Sequence, residues 1–172
     1  LPPILWARLL HKPVILHYHG GAADSFLKHW GIFARPFMKM AQRVIVPSGF
    51  LREAFARHGI DAFEIPNVLA AEFIFRKRQP LQPRFIMARH LEPAYNVACG
   101  LRTFRLVLDR HPEASLLVAG GGRERAALEQ LARELGITHC VTFTGAISNE
   151  RIRQLYDECD VYLNSSNVDN QP

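Results

Sequence analysis

Residues 84–122, RFIMARHLEPAYNVACGLRTFRLVLDRHPEASLLVAGGG, decide the fold. RFIMA (84–88) is a short apolar run that reads as a buried strand. NVACGLRTFRLVLDRHP (96–112) carries Val97, Leu101, Phe104 and Leu108 three and four residues apart, the spacing of an amphipathic helix. ASLLVAG (114–120) is a second apolar run and ends in Gly120, Gly121 and Gly122. Strand, helix and strand in that order predict a βαβ unit with two parallel strands.

Working outward, the alternation continues on both sides. Downstream, residues 121–136 predict a turn and helix, CVTFTG (140–145) a strand, residues 147–159 a helix capped by Ser148, and DVYLNS (160–165) a last strand. Upstream, LPPILWARLLHKP reads as the end of a helix feeding strand VILHYH (14–19). FLKHWGIFARPFMKMA (26–41) has helical spacing, with Pro36 expected to kink or break it. RVIVP (43–47) is a strand, SGFLREAFARHG (48–59) a helix capped by Ser48 and ended at Gly59, and DAFEIPN (61–67) a third strand. RKRQPLQPR (76–84) combines charge, Gln and two prolines, as linkers do. The expected fold class is α/β, with two Rossmann-like domains: residues 1–75, a linker at 76–83, and residues 84–172. The start at Leu1 and the stop after SSNVDNQP predict an internal fragment, incomplete in both domains and inactive by itself.

A hydrophobic fraction of 48% and a charged fraction of 22% match an ordinary globular protein. No apolar run reaches the roughly 18 residues that cross a bilayer. Cys99, Cys140 and Cys159 are odd in number and widely spaced, so neither a disulfide framework nor a zinc site is expected; they read as buried free thiols in a reducing compartment. Residues 1–80 hold eleven Lys and Arg against five Asp and Glu, net +6, whereas residues 81–172 are net −1. A basic first half suits an anionic partner: a membrane surface, a nucleic acid or a phosphorylated ligand.

Ligands of open α/β sheets bind outside the carboxyl ends of the strands, and four such ends carry candidate residues. Strand 14–19 ends in His19, followed by Gly20 and Gly21; His19 is placed to donate to a phosphate or sugar oxygen ahead of His17, the paired glycines let a ligand approach the backbone, and the alternative is that one of the two histidines is a satisfied core residue. After 84–88 comes Arg89 at a β-to-α turn, suited to bidentate phosphate contact beside a helix N-terminus; its alternative is a surface Arg paired with Glu92. After 114–120 comes the Gly120–Gly122 turn, which is not G-x-G-x-x-G because Arg125 takes the last glycine's place. After 140–144 come Gly145, Ala146 and Ile147, small enough to expose backbone to a base edge. No P-loop and no G-x-S-x-G is present.

In order, a strand ending in HG, AQRVIVPSGFLREAFARHGI, IPNV, a linker, Arg at a strand end, LLVAGGG, VTFTGAIS and RIRQLYDECDVYLNSS resemble the family 4 glycosyltransferases of the GT-B fold. The resemblance implies transfer of a sugar from a nucleotide-diphosphate-sugar donor to an acceptor hydroxyl with retained configuration. It gives Arg89 the donor diphosphate, His19 the donor sugar, Gly120, Gly121 and Gly122 the donor loop, and Ala146 and Ile147 the base. Asp169 stands where the family has the first Glu of E-x7-E, with the second beyond Pro172. Tyr95 or Asn96 stands where the family has a diphosphate-binding Lys. No cofactor or metal is implied. The expected acceptor is lipid-linked, glycan-linked or a small molecule, with peripheral contact to an anionic membrane through residues such as Arg35, Lys39 and Arg43, no nucleic acid, and a cytoplasmic location at the inner membrane face. The alternatives are a nucleotide-sugar epimerase of GT-B type and a non-catalytic sugar-nucleotide-binding or scaffold protein.

Overall fold

The structure is a computed structural model that describes residues 2–68 and 77–167. They fall into two compact units. The first runs α1 (Pro2–Leu9), β1 (Ile15–His17), α2 (Ala23–Met40), β2 (Arg43–Val46), α3 (Gly49–Arg57) and β3 (Phe63–Glu64). Its three strands are parallel in the order β1-β2-β3. Ala23, Leu27, Ala34 and Met38 recur at helical spacing along α2 and bury against Val44, Val46, Leu51 and Phe55. Ser48 Oγ accepts from the Leu51 amide at 3.4 Å and caps α3 as expected.

Two expectations for this unit change. The strands read at 14–19 and 61–67 shrink to β1 and β3, because among the described residues each has a ladder partner on one side only and Ile15 and Phe63 stay exposed. Pro36 neither breaks nor ends α2, which runs on to Met40. Pro36 and Ile32 are both on the exposed face, so the carbonyl left without an amide partner is open to water. Arg35 and Arg43, named from the sequence, each have a local partner. Arg35 Nη2 donates to His58 Nδ1 at 3.1 Å, and the Arg43 guanidinium lies 5.2 Å from the Phe63 ring centroid while donating to the Gln42 carbonyl.

The second unit runs β4 (Arg84–Ala88), a 3₁₀ turn (Pro93–Tyr95), α4 (Val97–Leu108), β5 (Ser115–Ala119), α5 (Arg125–Glu134), β6 (Val141–Gly145), α6 (Asn149–Glu158) and β7 (Val161–Tyr162). All strands are parallel in the order β6-β5-β4-β7. Counted from β4, this is order 3-2-1-4, the core of a doubly wound Rossmann sheet. Val97, Leu101 and Phe104 of α4 and Leu128 and Ala132 of α5 bury against Met87, Leu116 and Val118. Leu155 and Cys159 at the end of α6 pack with Ile86 and Ala119 in a second cluster. The last strand is again shorter than read.

Arg78 ties the segment before β4 to this unit. It donates to the carbonyls of Tyr156 and Asp157 and, at 3.4 Å, to Asp160 Oδ1. Arg84 Nε donates to Asp160 Oδ2 at 2.6 Å, and the Asp160 side chain is only 1% exposed. The Arg84 bond, with help from Arg78, holds the Asp160 carboxyl below its ordinary value. The thiols are free but not all buried: Cys159 is, Cys140 is half-buried, and Cys99, in the first turn of α4, is exposed, which corrects the reading of all three as buried.

Candidate functional site

In the order β6-β5-β4-β7 the chain reverses its direction of winding between β4 and β7, and the crevice at their carboxyl ends is where such sheets bind ligands. A cavity of about 520 Å³ opens at this end. It is lined by Ala88, Arg89, His90 and Tyr95 after β4, Ala119, Gly120 and Gly121 after β5, Ala146 and Ile147 after β6, and Asn149, Ile152 and Tyr156 of α6. Six residues singled out from sequence thus meet in one place: Arg89, Tyr95, Gly120, Gly121, Ala146 and Ile147.

Arg89 sits with its guanidinium 5.9 Å from the Tyr95 ring centroid. Tyr95 also faces the His90 ring, at 6.2 Å between centroids. Glu92, the partner the sequence alternative gave to Arg89, is engaged by Arg123. Its Oε2 pairs with Arg123 Nε at 2.9 Å and its Oε1 accepts from the Arg123 amide at 3.2 Å, so this carboxylate joins the loop after β4 to the loop after β5. On the opposite wall, burial and the neighbouring Tyr162 raise the Tyr156 hydroxyl pKa, against the opposing pull of Arg89.

The glycines divide by role. A Cβ on Gly120 would lie 2.0 Å from the Arg89 carbonyl oxygen, and one on Gly122 would lie 2.3 Å from that of Leu91. Both therefore serve the crossing of two loops, reinforced by bonds from the Leu91 amide to the Gly121 carbonyl and from the Glu124 amide to the Leu91 carbonyl. Gly121 is the member with room: a Cβ there would make only an ordinary contact, 3.4 Å from Ala146 Cβ. A bulge between Val118 and Ala119 puts Gly145 opposite Ala119. Gly145 then accepts from the Gly120 amide, which seats Ala146 beside the glycine turn.

Asn96 does something the sequence did not suggest. It takes a left-handed backbone, φ 47°, at the start of α4, and its Nδ2 donates to Asn167 Oδ1 at 3.2 Å. Ser165 Oγ donates to the Asn96 carbonyl at 2.9 Å, and the Asn167 amide donates to the Ala94 carbonyl. The loop after β7 is thereby clasped to the turn that carries Tyr95. Asp169 lies outside the described residues. His19, Gly20 and Gly21 belong to the first unit, where the His17 and His19 rings stand 4.1 Å apart and both are exposed, so His17 is not a core residue. Tyr18 takes the buried side instead, edge-on to Phe55 at 5.1 Å. Sequence reasoning missed His90, Asn149, Ile152 and Tyr156. For the last three a signal existed, since positions 149, 152 and 156 share one face of a helix. Among the described residues no group of three or more His, Cys, Asp or Glu is placed to hold a metal ion.

Comparison with known proteins agrees with this architecture. Residues 71–172 match the model of glycosyl transferases group 1, and residues 1–72 match that of glycosyltransferase family 4. An uncharacterized glycosyltransferase of Methanocaldococcus jannaschii is 38% identical over 63 residues, 37% of this chain and 16% of that protein. Anabaena HepE in complex with UDP and glucose superposes with a TM-score of 0.78 at 17% identity, over 95% of this chain and 49% of HepE. Staphylococcus aureus TarM superposes with a TM-score of 0.68 at 12% identity, over 81% of this chain and 29% of TarM. The chain thus spans about half or less of the length of these relatives. With a doubly wound sheet, a cavity at its switch point and a family model matched along residues 71–172, the chain belongs to the glycosyl transferases group 1 family.

Proposed function

We infer that the cavity at the carboxyl ends of β4, β5 and β6 binds a nucleoside-diphosphate sugar, and that the intact protein transfers the sugar to an acceptor hydroxyl with retained anomeric configuration and without a metal. The observation that carries this reading is Arg89: a guanidinium at the switch point, in one cavity with a glycine turn and a small-residue wall. A planar fork of donors suits a diphosphate. The N-terminus of α4, twelve residues long, adds partial positive charge nearby. Gly121, Ala146 and Ile147 line the cavity with small and apolar groups that suit a base.

The chemical burden in such a transfer is negative charge growing on the departing diphosphate. Fixed donors stabilise it without the reorganisation that water requires. Truncating a buried charged contact of this kind costs about 2–5 kcal/mol, against about 0.3–2 kcal/mol for a helix terminus, so Arg89 outweighs the dipole. Of the two residues that could stand for the family's lysine, Tyr95 and Asn96, Tyr95 puts an aromatic ring beside Arg89. By the resemblance alone, His19 is assigned to the donor sugar and Asp169 to the place of the first Glu of E-x7-E. That HepE holds UDP and glucose supports a uridine-type donor as the first to try.

The test is release of nucleotide from a panel of nucleoside-diphosphate sugars, with the anomer of the product read by NMR. Transfer with retention is the expected result. Inversion would remove the retaining assignment, release of an epimerised free nucleotide sugar would make the protein an epimerase, and donor binding without turnover would make it a binding protein.

A further inference from the structure

We propose that Asn96, Ser165 and Asn167 are positioning residues of the donor site: they hold the Tyr95 turn and, through the Tyr95 ring, set the Arg89 guanidinium for a diphosphate. None of the three lines the cavity. The proposal rests on the reading of that cavity as a nucleoside-diphosphate site.

Asn96 departs from what its place predicts. It stands at the N-cap of α4, where an Asn side chain ordinarily accepts from the first-turn amides of its own helix. Here the side chain makes no such bond. Its Nδ2 donates instead to Asn167 Oδ1 at 3.2 Å, 71 residues further along. The backbone is unusual too: φ 47° and ψ 44° is left-handed, which Asn adopts more readily than most residues but which favours glycine. An uncommon backbone and a forgone cap at one residue mark a side chain that is used elsewhere.

The loop after β7 also holds the turn by its backbone. The Asn167 amide donates to the Ala94 carbonyl at 3.0 Å. The half-buried Ser165 hydroxyl lies 2.9 Å from the Asn96 carbonyl and 3.3 Å from that of Tyr95. Pro93–Tyr95 is a single 3₁₀ turn, closed by bonds from the Tyr95 amide to the Glu92 carbonyl and from the Asn96 amide to the Pro93 carbonyl. So short a turn does not fix its own orientation. Arg123 pins its near end through Glu92, and the loop after β7 pins its far end. Between the two anchors stands Tyr95, its ring centroid 5.9 Å from the Arg89 guanidinium carbon. A ring held in this way limits where the guanidinium beside it goes, and a fork of donors held ready has less to order when a diphosphate arrives.

The experiment measures calorimetric binding of UDP, GDP and ADP to the intact protein and takes the tightest as the probe. Asn96→Gly keeps the left-handed backbone and removes the amide, and Asn167→Ala removes the same bond from the other side, at an exposed residue. Each should weaken the probe about three- to tenfold, the worth of one such bond felt in full at the site. In a Tyr95→Ala background Asn96→Gly should weaken it by less than about twofold, because the group through which it acts is gone. A bond with a structural role alone would lower melting temperatures and leave affinities unchanged below them. Coupling is reciprocal, so the probe should slow hydrogen exchange at the amides of residues 165–167 in the parent and not in Asn96→Gly. Unchanged probe affinity in both single variants, an equal loss from Asn96→Gly with and without Tyr95, or exchange at 165–167 that the probe does not slow would each overturn the proposal while the nucleotide site stands. A parent that binds none of the three nucleotides would remove the reading of the site and the proposal with it.

Discussion

Replacing Gly120 by Ala tests whether the glycine turn serves the ligand through space or through the loop that carries Arg89. The new Cβ would stand 2.0 Å from the Arg89 carbonyl oxygen and 2.9 Å from its carbon, both rigid backbone. Restoring an ordinary contact moves that loop, or the turn, by more than about 1 Å. Overpacking of this kind costs about 1–3 kcal/mol, or roughly 10 °C of melting temperature at the middle of that range for a unit of this size. Because the displaced group is the backbone of Arg89, donor binding should fall with it, and turnover more steeply, since a misplacement of about 1 Å at a reacting centre can cost about 10²-fold in rate. Gly136→Ala is the control. Gly136 also has a left-handed backbone, φ 69°, but a Cβ there meets nothing within 4 Å. It should cost only about 1–2 kcal/mol of backbone strain and leave donor affinity unchanged. Thermal melts and calorimetry on the two variants decide the matter. A Gly120→Ala protein with the parent's melting temperature and donor affinity would refute the reasoning, as would equal losses of affinity in both variants.

Arg89→Ala should weaken the best nucleotide-sugar donor about 10²-fold, from the roughly 3 kcal/mol expected for such a contact, and an unchanged dissociation constant would take Arg89 out of the site. Asp160→Asn should lower stability at neutral pH and flatten its acid dependence. The Asp160 carboxyl titrates below its ordinary value chiefly through Arg84, so its contribution is present above the unfolded value near 4 and is lost as pH falls through the lower folded one. Urea melts at neutral and acid pH would show parallel curves if the clamp were inert. His19→Ala should lower turnover, and His17→Ala, an exposed side chain, should leave the melting temperature unchanged; loss of turnover from His17→Ala alone would reverse the assignment.

Local chemistry in the sequence was enough for the elements and their handed order. Apolar spacing along Val97, Leu101 and Phe104 writes α4, and the runs at 84–88 and 114–120 write β4 and β5 within a residue of their observed ends. Ser48 and Ser148 announce their caps because the capping oxygen and the amide it bonds are three residues apart. Arg89 and the glycine turn could be singled out because each stands at the carboxyl end of a strand, and the structure brings them to one cavity. Strand order was not visible: the step that sets β7 against β4 pairs Phe85 with Val161 across most of the unit, and no local period records such a pairing. The same holds for the short edge strands β1 and β3, whose length depends on neighbours rather than on propensity. It holds most clearly for Gly120, Gly122, Glu92 and Asn96. Each looks like a ligand contact or a stray surface group in the sequence, and each is engaged by another loop once the carboxyl ends of the strands are brought side by side.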